Sequence, residues 1–214
     1  MNIHVPRQRR KEARPAEFVA AALEQFAMKG FAATRMEDVA TSAGVSKGTL
    51  YLYFDSKESL FRAVIQEGIV PVLDDGADLV DTFEGSSGNL LRALMQGWWQ
   101  RIGHTPLAAF PKLLVSESGN FPELAAYYHD AVILRGRSIL RRALQRGIAA
   151  GEFRNVDLET AIDVIFAPVL MMVIWQYSMG IGCGTENNPS TYLQNHLELT
   201  LGGLSSPLAR PVPA

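Results

Sequence analysis

Ser46, Lys47, Gly48, Thr49, Tyr51, Tyr53 and Lys57 gather two ammonium groups, two hydroxyls and two phenols around a glycine within one short segment. Ammonium groups neutralise phosphates, hydroxyls bond to phosphate oxygens and base edges, and a missing side chain lets the backbone approach closely. The set suits a nucleic-acid duplex if a rigid element holds it on one surface. The flanking residues supply that element. Met36, Val39 and Ala40 fall at i, i+3 and i+4, the apolar face of a helix, and Thr34 stands where an N-cap would satisfy free backbone donors. Ala43-Gly44-Val45 then breaks the helix, with Gly44 suited to a left-handed position. Ser46 starts a second helix over 47–53 that buries Leu50 and turns Lys47, Gly48, Thr49, Tyr51 and Tyr53 largely outward. Two short helices around a glycine turn make a helix-turn-helix, whose second helix reads the major groove.

The order of these residues closely resembles the tetracycline-repressor (TetR) family of bacterial transcription regulators. Gly30-Phe31, Thr34, MEDVA at 36–40, AGVSKGTLY at 43–51, Tyr53-Phe54 and SKESL at 56–60 carry the resemblance, which reaches to about Ile65. It implies that Lys47, Gly48, Thr49, Tyr51 and Tyr53 form the operator-contacting face and that Lys57 is a phosphate-binding lysine opening the next helix. Thr34 and Ser46 take the part of backbone-anchoring caps. Taken singly, Ser46 reads equally well as a cap alone and Tyr51 as a packing residue; the constellation carries the DNA-binding expectation.

The net charge of −2 hides an asymmetry. Residues 1–57 hold nine Lys/Arg against six Asp/Glu, and the remainder eleven against sixteen. Arg7, Arg9, Arg10, Lys11 and Arg14 form a basic run ahead of the first helix, read as an arm on DNA rather than a solvated tail. Cys183 is the only cysteine, so no intrachain disulfide is available and a cytoplasmic location is expected. No cleavable signal peptide is read at the basic N-terminus. Residues 164–185 lack charge, but the strongly apolar part, VIFAPVLMMVIW, is shorter than the ~20 residues a membrane helix needs. A buried core or interface helix, and no membrane, is expected there.

Helical spacing recurs along the rest of the chain, and no alternating strand pattern interrupts it. The fold class is all-α: an N-terminal three-helix helix-turn-helix domain followed by a helical ligand-binding and dimerisation domain. The divisions are 1–57 for arm and DNA-binding domain, 58–205 for the regulatory body and 206–214 for a flexible tail. A first helix over 12–28 covers the helix-turn-helix. A helix capped by Ser56 links head to body until Pro71 bends or ends it, and 74–88 reads as a continuation followed by a loop. Further helices cover 89–103, the stretch opened by Thr105-Pro106, 122–151, 157–179 and a last one from Ser190. Arg135, Arg137, Arg141, Arg142 and Arg146 on the helix before Gly151 suggest a solvated or ion-paired face rather than a second nucleic-acid surface.

Enzyme chemistry finds no footing. His4, His104, His129 and His196 are scattered without metal-ligand spacing, no catalytic set can be singled out, and GIGCG at 180–184 follows a helix rather than a strand. No catalytic residue, metal or cofactor is expected. The body instead carries aromatic and Met residues suited to an apolar pocket, among them Trp98, Phe110, Tyr128, Phe166 and Trp175. The resemblance implies a homodimer whose heads are moved by an inducer bound in the body, and the stretch from Phe121 through GEFR at 151–154 also resembles C-terminal domains of multidrug-regulator relatives. The last two helices are expected to pair across a two-fold axis as a four-helix bundle, with Val169 and Leu201 at the dimer seam or in the body core. The partners expected are a palindromic double-stranded DNA operator, a second copy and an unknown small apolar ligand. The function expected is that of a repressor released by that ligand; the alternative is an inducer-free DNA-binding protein whose body serves dimerisation or a protein partner.

Overall fold

The computed structural model describes residues 7–179 and 188–206. GIGCG with Cys183, His4 and residues 207–214 lie outside the described residues. α1 (Arg7–Lys29) contains the basic run within its first two turns, so the run belongs to the helix instead of preceding it. Phe18, Ala22 and Phe26 give α1 one buried face. α2 (Met36–Ser42) buries Met36, Val39 and Ala40 as the spacing demands. Gly44 follows at φ +67°, a left-handed conformation open to glycine at no steric cost. α3 (Lys47–Tyr51) buries only Leu50 and ends two residues earlier than expected.

α4 (Lys57–Val64) is opened by Ser56, whose hydroxyl accepts from the Ser59 amide at 3.1 Å. It packs on α1 and runs into a π turn, Ile65–Ile69, and then α5 (Val70–Thr82). Pro71 explains the turn. A proline inside a helix has no N–H to give and its ring crowds the carbonyl four residues back; the widened turn, in which the Val70 amide bonds to Ile65, absorbs both. The rod therefore does not end at Pro71 and continues past Asp74 to Thr82. Gly68 lies in this turn, where a Cβ would stand 2.7 Å from Leu107 Cδ2 and would require that side chain to shift.

The body adds α6 (Ser87–Trp98), a π turn over Trp99–Gly103, a 3-10 turn over Pro106–Ala108 and α7 (Ala109–Glu117). α8 (Pro122–Tyr128) passes through a third π turn, His129–Ile133, into α9 (Leu134–Ala149). α10 (Leu158–Met179) and α11 (Pro189–Leu204) complete the described helices. Asp157 caps α10 by accepting from the Thr160 amide at 2.8 Å. No strand occurs among the described residues, only an isolated bridge between Phe153 and Ser205. Ser206 donates its amide to the Glu152 carbonyl at 2.9 Å, so the expected tail is still docked at its first residue.

All five arginines of the α9 face are engaged. Arg135 pairs with Asp74, Arg137 with Glu159 and Asp163, Arg141 with Glu159, and Arg142 with Asp81, while Arg146 donates to the Phe83 and Gly85 carbonyls at 2.9 Å. These contacts bind α9 to α5, to α10 and to the loop after α5. A face committed to carboxylates is a brace and not a second nucleic-acid surface.

Candidate nucleic-acid interface and body cavity

α3 projects from the head on a core of aromatic rings. Phe26, Phe31 and Phe61 meet one another at centroid distances of 5.4–6.1 Å, and Phe18 holds Tyr53 edge-on at 5.3 Å. Leu50 fills the space beneath α3, so the opposite side of this short helix faces out. Ser46 caps it: its hydroxyl accepts from the Thr49 amide at 3.1 Å and lies 2.9 Å from the Thr49 hydroxyl. Lys47 extends over the Tyr51 ring and pairs with Glu37 of α2, which raises the lysine's pKa and lowers the carboxylate's. Gly48 is open; a Cβ there would find only Ser46 Oγ, at 3.9 Å. Its lack of a side chain therefore answers no packing need inside the protein.

Three expected roles change in detail. Thr34 does not cap α2: Arg35 holds the N-cap position, its amide donating to Asp38 at 2.9 Å. Thr34 is buried instead, its hydroxyl 2.7 Å from the Gly30 carbonyl, which anchors the end of α1. Tyr53 lies beyond the helix end and is half-buried against Phe18. Lys57 points back to the loop after α1, donating to the Phe31 and Ala32 carbonyls at 2.7 and 3.2 Å and lying 4.3 Å from the Phe31 ring centroid. Partial burial lowers its pKa.

The head is fastened to the body beside that lysine. Phe31 packs edge-on against Phe121 at 4.8 Å, Phe61 meets Phe110 at 5.2 Å, and Glu117 at the end of α7 accepts from the Ala32 amide at 3.0 Å. Sequence reading missed this junction and missed Glu37 as the partner of Lys47, because each contact joins residues whose separation follows no helical period.

Within the body, α5 to α10 line a cavity of about 560 Å³ that is open to solvent. Its walls include Trp98, Tyr128 and Phe166, with Trp98 edge-on to Phe166 at 5.0 Å. Phe110 and Trp175 are not among them. α7 turns Pro111, Leu114 and Val115 to the cavity and Phe110 to the head, where it is fully buried on Phe61. On α10, Ile162, Phe166 and Leu170 face the cavity, whereas Val164, Pro168, Met171 and Trp175 follow i, i+4, i+7 and i+11 along another side. Trp175 and Met171 are each 44% exposed and Val164 55%. Val169 and Leu201 are buried inside this one chain. By length and composition α10 is apolar enough to span a membrane, yet it carries the ion-paired Glu159 and Asp163 and packs on α7, α9 and α11.

Residues 18–64 match the family described as bacterial regulatory proteins, tetR family, and residues 84–178 match the tetracyclin repressor-like C-terminal domain. The chain is 42% identical over 165 residues to the uncharacterized HTH-type transcriptional regulator YfiR of Bacillus subtilis (strain 168), spanning 73% of this chain and 76% of that protein. It is 26% identical over 200 residues to the HTH-type transcriptional repressor KstR2 of Rhodococcus jostii (strain RHA1), covering 92% and 94% of the two chains. Its fold superposes with a TM-score of 0.71 on the transcriptional regulator FadR of Bacillus subtilis, solved in complex with stearoyl-CoA, at 21% identity over 88% of this chain and 98% of that one. The protein is a DNA-binding transcription regulator and not an enzyme, and it belongs to the TetR family.

Proposed function

We propose that the protein is a homodimeric, cytoplasmic repressor that leaves a palindromic operator when a small, largely apolar molecule fills the body cavity. The observation that carries this reading is the position of the cavity. Ile69, Val72 and Leu73, on the rod that continues α4, form part of its wall, as do Pro111, Leu114 and Val115 of α7. The same rod enters the head through Phe61, and α7 reaches it through Glu117. A molecule that spreads these walls shifts both attachments of the head together. The cavity's size and apolar lining suit a ligand, and they favour this reading over an inducer-free body. FadR's stearoyl-CoA, with its long acyl chain, agrees with the same chemistry.

The stripe of Val164, Pro168, Met171 and Trp175, with Leu199 of α11 79% exposed, is covered by a second copy through α10 and α11. Two-fold symmetry sets two α3 helices toward successive major grooves. Lys47, Gly48, Thr49, Tyr51 and Tyr53 then face base edges and phosphates, Thr34 and Ser46 hold the frame, and Lys57 braces the loop while reaching a phosphate. Selection of bound fragments from the source genome, followed by a compound screen for release, tests the whole proposal: palindromic fragments released by apolar compounds are expected. Tight operator binding that no compound relieves would transfer support to the inducer-free alternative.

A further inference from the structure

The cavity is poor in polar groups, and most of those are spoken for. Asp75 pairs with Arg101 and Asp163 with Arg137, and these pairs are solvent-exposed, so each cancels its own charge at a mouth of the cavity. The half-buried Trp98 indole and the Tyr128 phenol remain. Tyr128 differs from every other wall residue in combining a polar head with near-complete burial, at 8% exposure. Among the described residues nothing hydrogen-bonds to its hydroxyl. Burial also raises its pKa, so the phenol keeps its proton and is a donor. This donor has no protein acceptor, so a ligand oxygen that takes it up gains a hydrogen bond that a hydrocarbon cannot make. Among the described residues the cations of the wall, Arg101 and Arg137, are each paired with a carboxylate, which leaves none to balance an anion placed deep inside.

We infer that the cavity takes an uncharged, predominantly apolar molecule bearing a carbonyl-type oxygen, which accepts a hydrogen bond from Tyr128. This rests on the reading of the cavity as a ligand site. Such a site distinguishes a ketone or ester from a hydrocarbon of the same shape, because only the former satisfies the phenol.

The test uses the full-length protein and two probes: a propionyl-substituted dimethylaminonaphthalene, an apolar fluorophore with one ketone, and its propyl analogue lacking the oxygen. The wild type is expected to bind the ketone about tenfold more tightly than the analogue. Tyr128→Phe is expected to remove that preference while leaving the analogue's affinity unchanged. The carbonyl stretch of the bound ketone is expected at lower frequency in the wild type than in Tyr128→Phe. A wild-type complex whose carbonyl band sits at its apolar-solvent position overturns the inference, even if the variant does not fold. Equal binding of both probes by the wild type overturns it too, and leaves the cavity as a ligand site intact. Failure of the wild type to bind either probe overturns both the inference and the ligand-site reading.

Discussion

Head and body are built from the same amphipathic helices, but they treat their interiors differently. In the head, Phe26, Phe31 and Phe61 are buried and in mutual contact, Phe18 is buried against Tyr53 and Phe54, and the polar residues of α3 are displayed outside. In the body, Trp98, Tyr128 and Phe166 stand around open space, and apolar residues of α10 face outward. A filled core makes the head a rigid presenter of a surface. An unfilled core makes the body deformable, which is what a receiver of small molecules requires.

The largest effect is expected where the two regions meet. Phe61→Ala removes a ring that touches Phe26, Phe31 and Phe110, and should cost about 3–5 kcal/mol. All three tryptophans lie in the body, so urea unfolding followed by their fluorescence should shift together with loss of DNA binding; separate transitions would break the picture of coupled regions. Next comes the bare face of α10. Trp175→Glu should raise the dimer dissociation constant about 30-fold or more, measured by sedimentation, with little change in monomer unfolding. Val169→Glu, fully buried, should instead unfold the body.

At the head, Lys57→Ala should weaken binding to every DNA sequence and reduce the slope of log affinity against log salt by about one unit. An ammonium has three donors and two are spent on the Phe31 and Ala32 carbonyls, leaving one for a phosphate. An unchanged slope would reduce Lys57 to a loop brace. Smallest of all, Glu37→Gln releases Lys47 from its exposed ion pair and should tighten operator binding by about two- to fivefold at low salt, as expected for a pair worth under ~1 kcal/mol. Fluorescence anisotropy against salt reads both.

The head was legible because its information is local. Met36, Val39 and Ala40, the Gly44 break and Ser46 follow helical spacing and capping chemistry, and the structure places each on the surface or in the core as that chemistry requires. Thr34 was misread because both an N-cap and a buried anchor place a threonine before a helix. The body's helices were legible, but the side each residue faces was not. Phe110 and Trp175 carry the same apolar signal as Trp98 and Phe166; what separates them is whether the neighbouring helix arrives on that side, and tertiary packing decides this. The π turns were hidden as well, since widening by one residue leaves an apolar pattern nearly intact while rotating everything downstream.

The measurement that bears most directly on coupling between the regions is the operator affinity of the wild-type dimer with the cavity saturated by the ketone-bearing naphthalene, set against Gly76→Leu. Gly76 lines the cavity with its Cβ direction at ordinary contact distance from Ile139 and Leu94, so a leucine fills the space the probe would take. Saturation is expected to weaken the wild-type operator complex about 5- to 150-fold and to leave that of Gly76→Leu unaffected. Wild-type operator affinity that stays constant while the probe's fluorescence reports a filled cavity would contradict it.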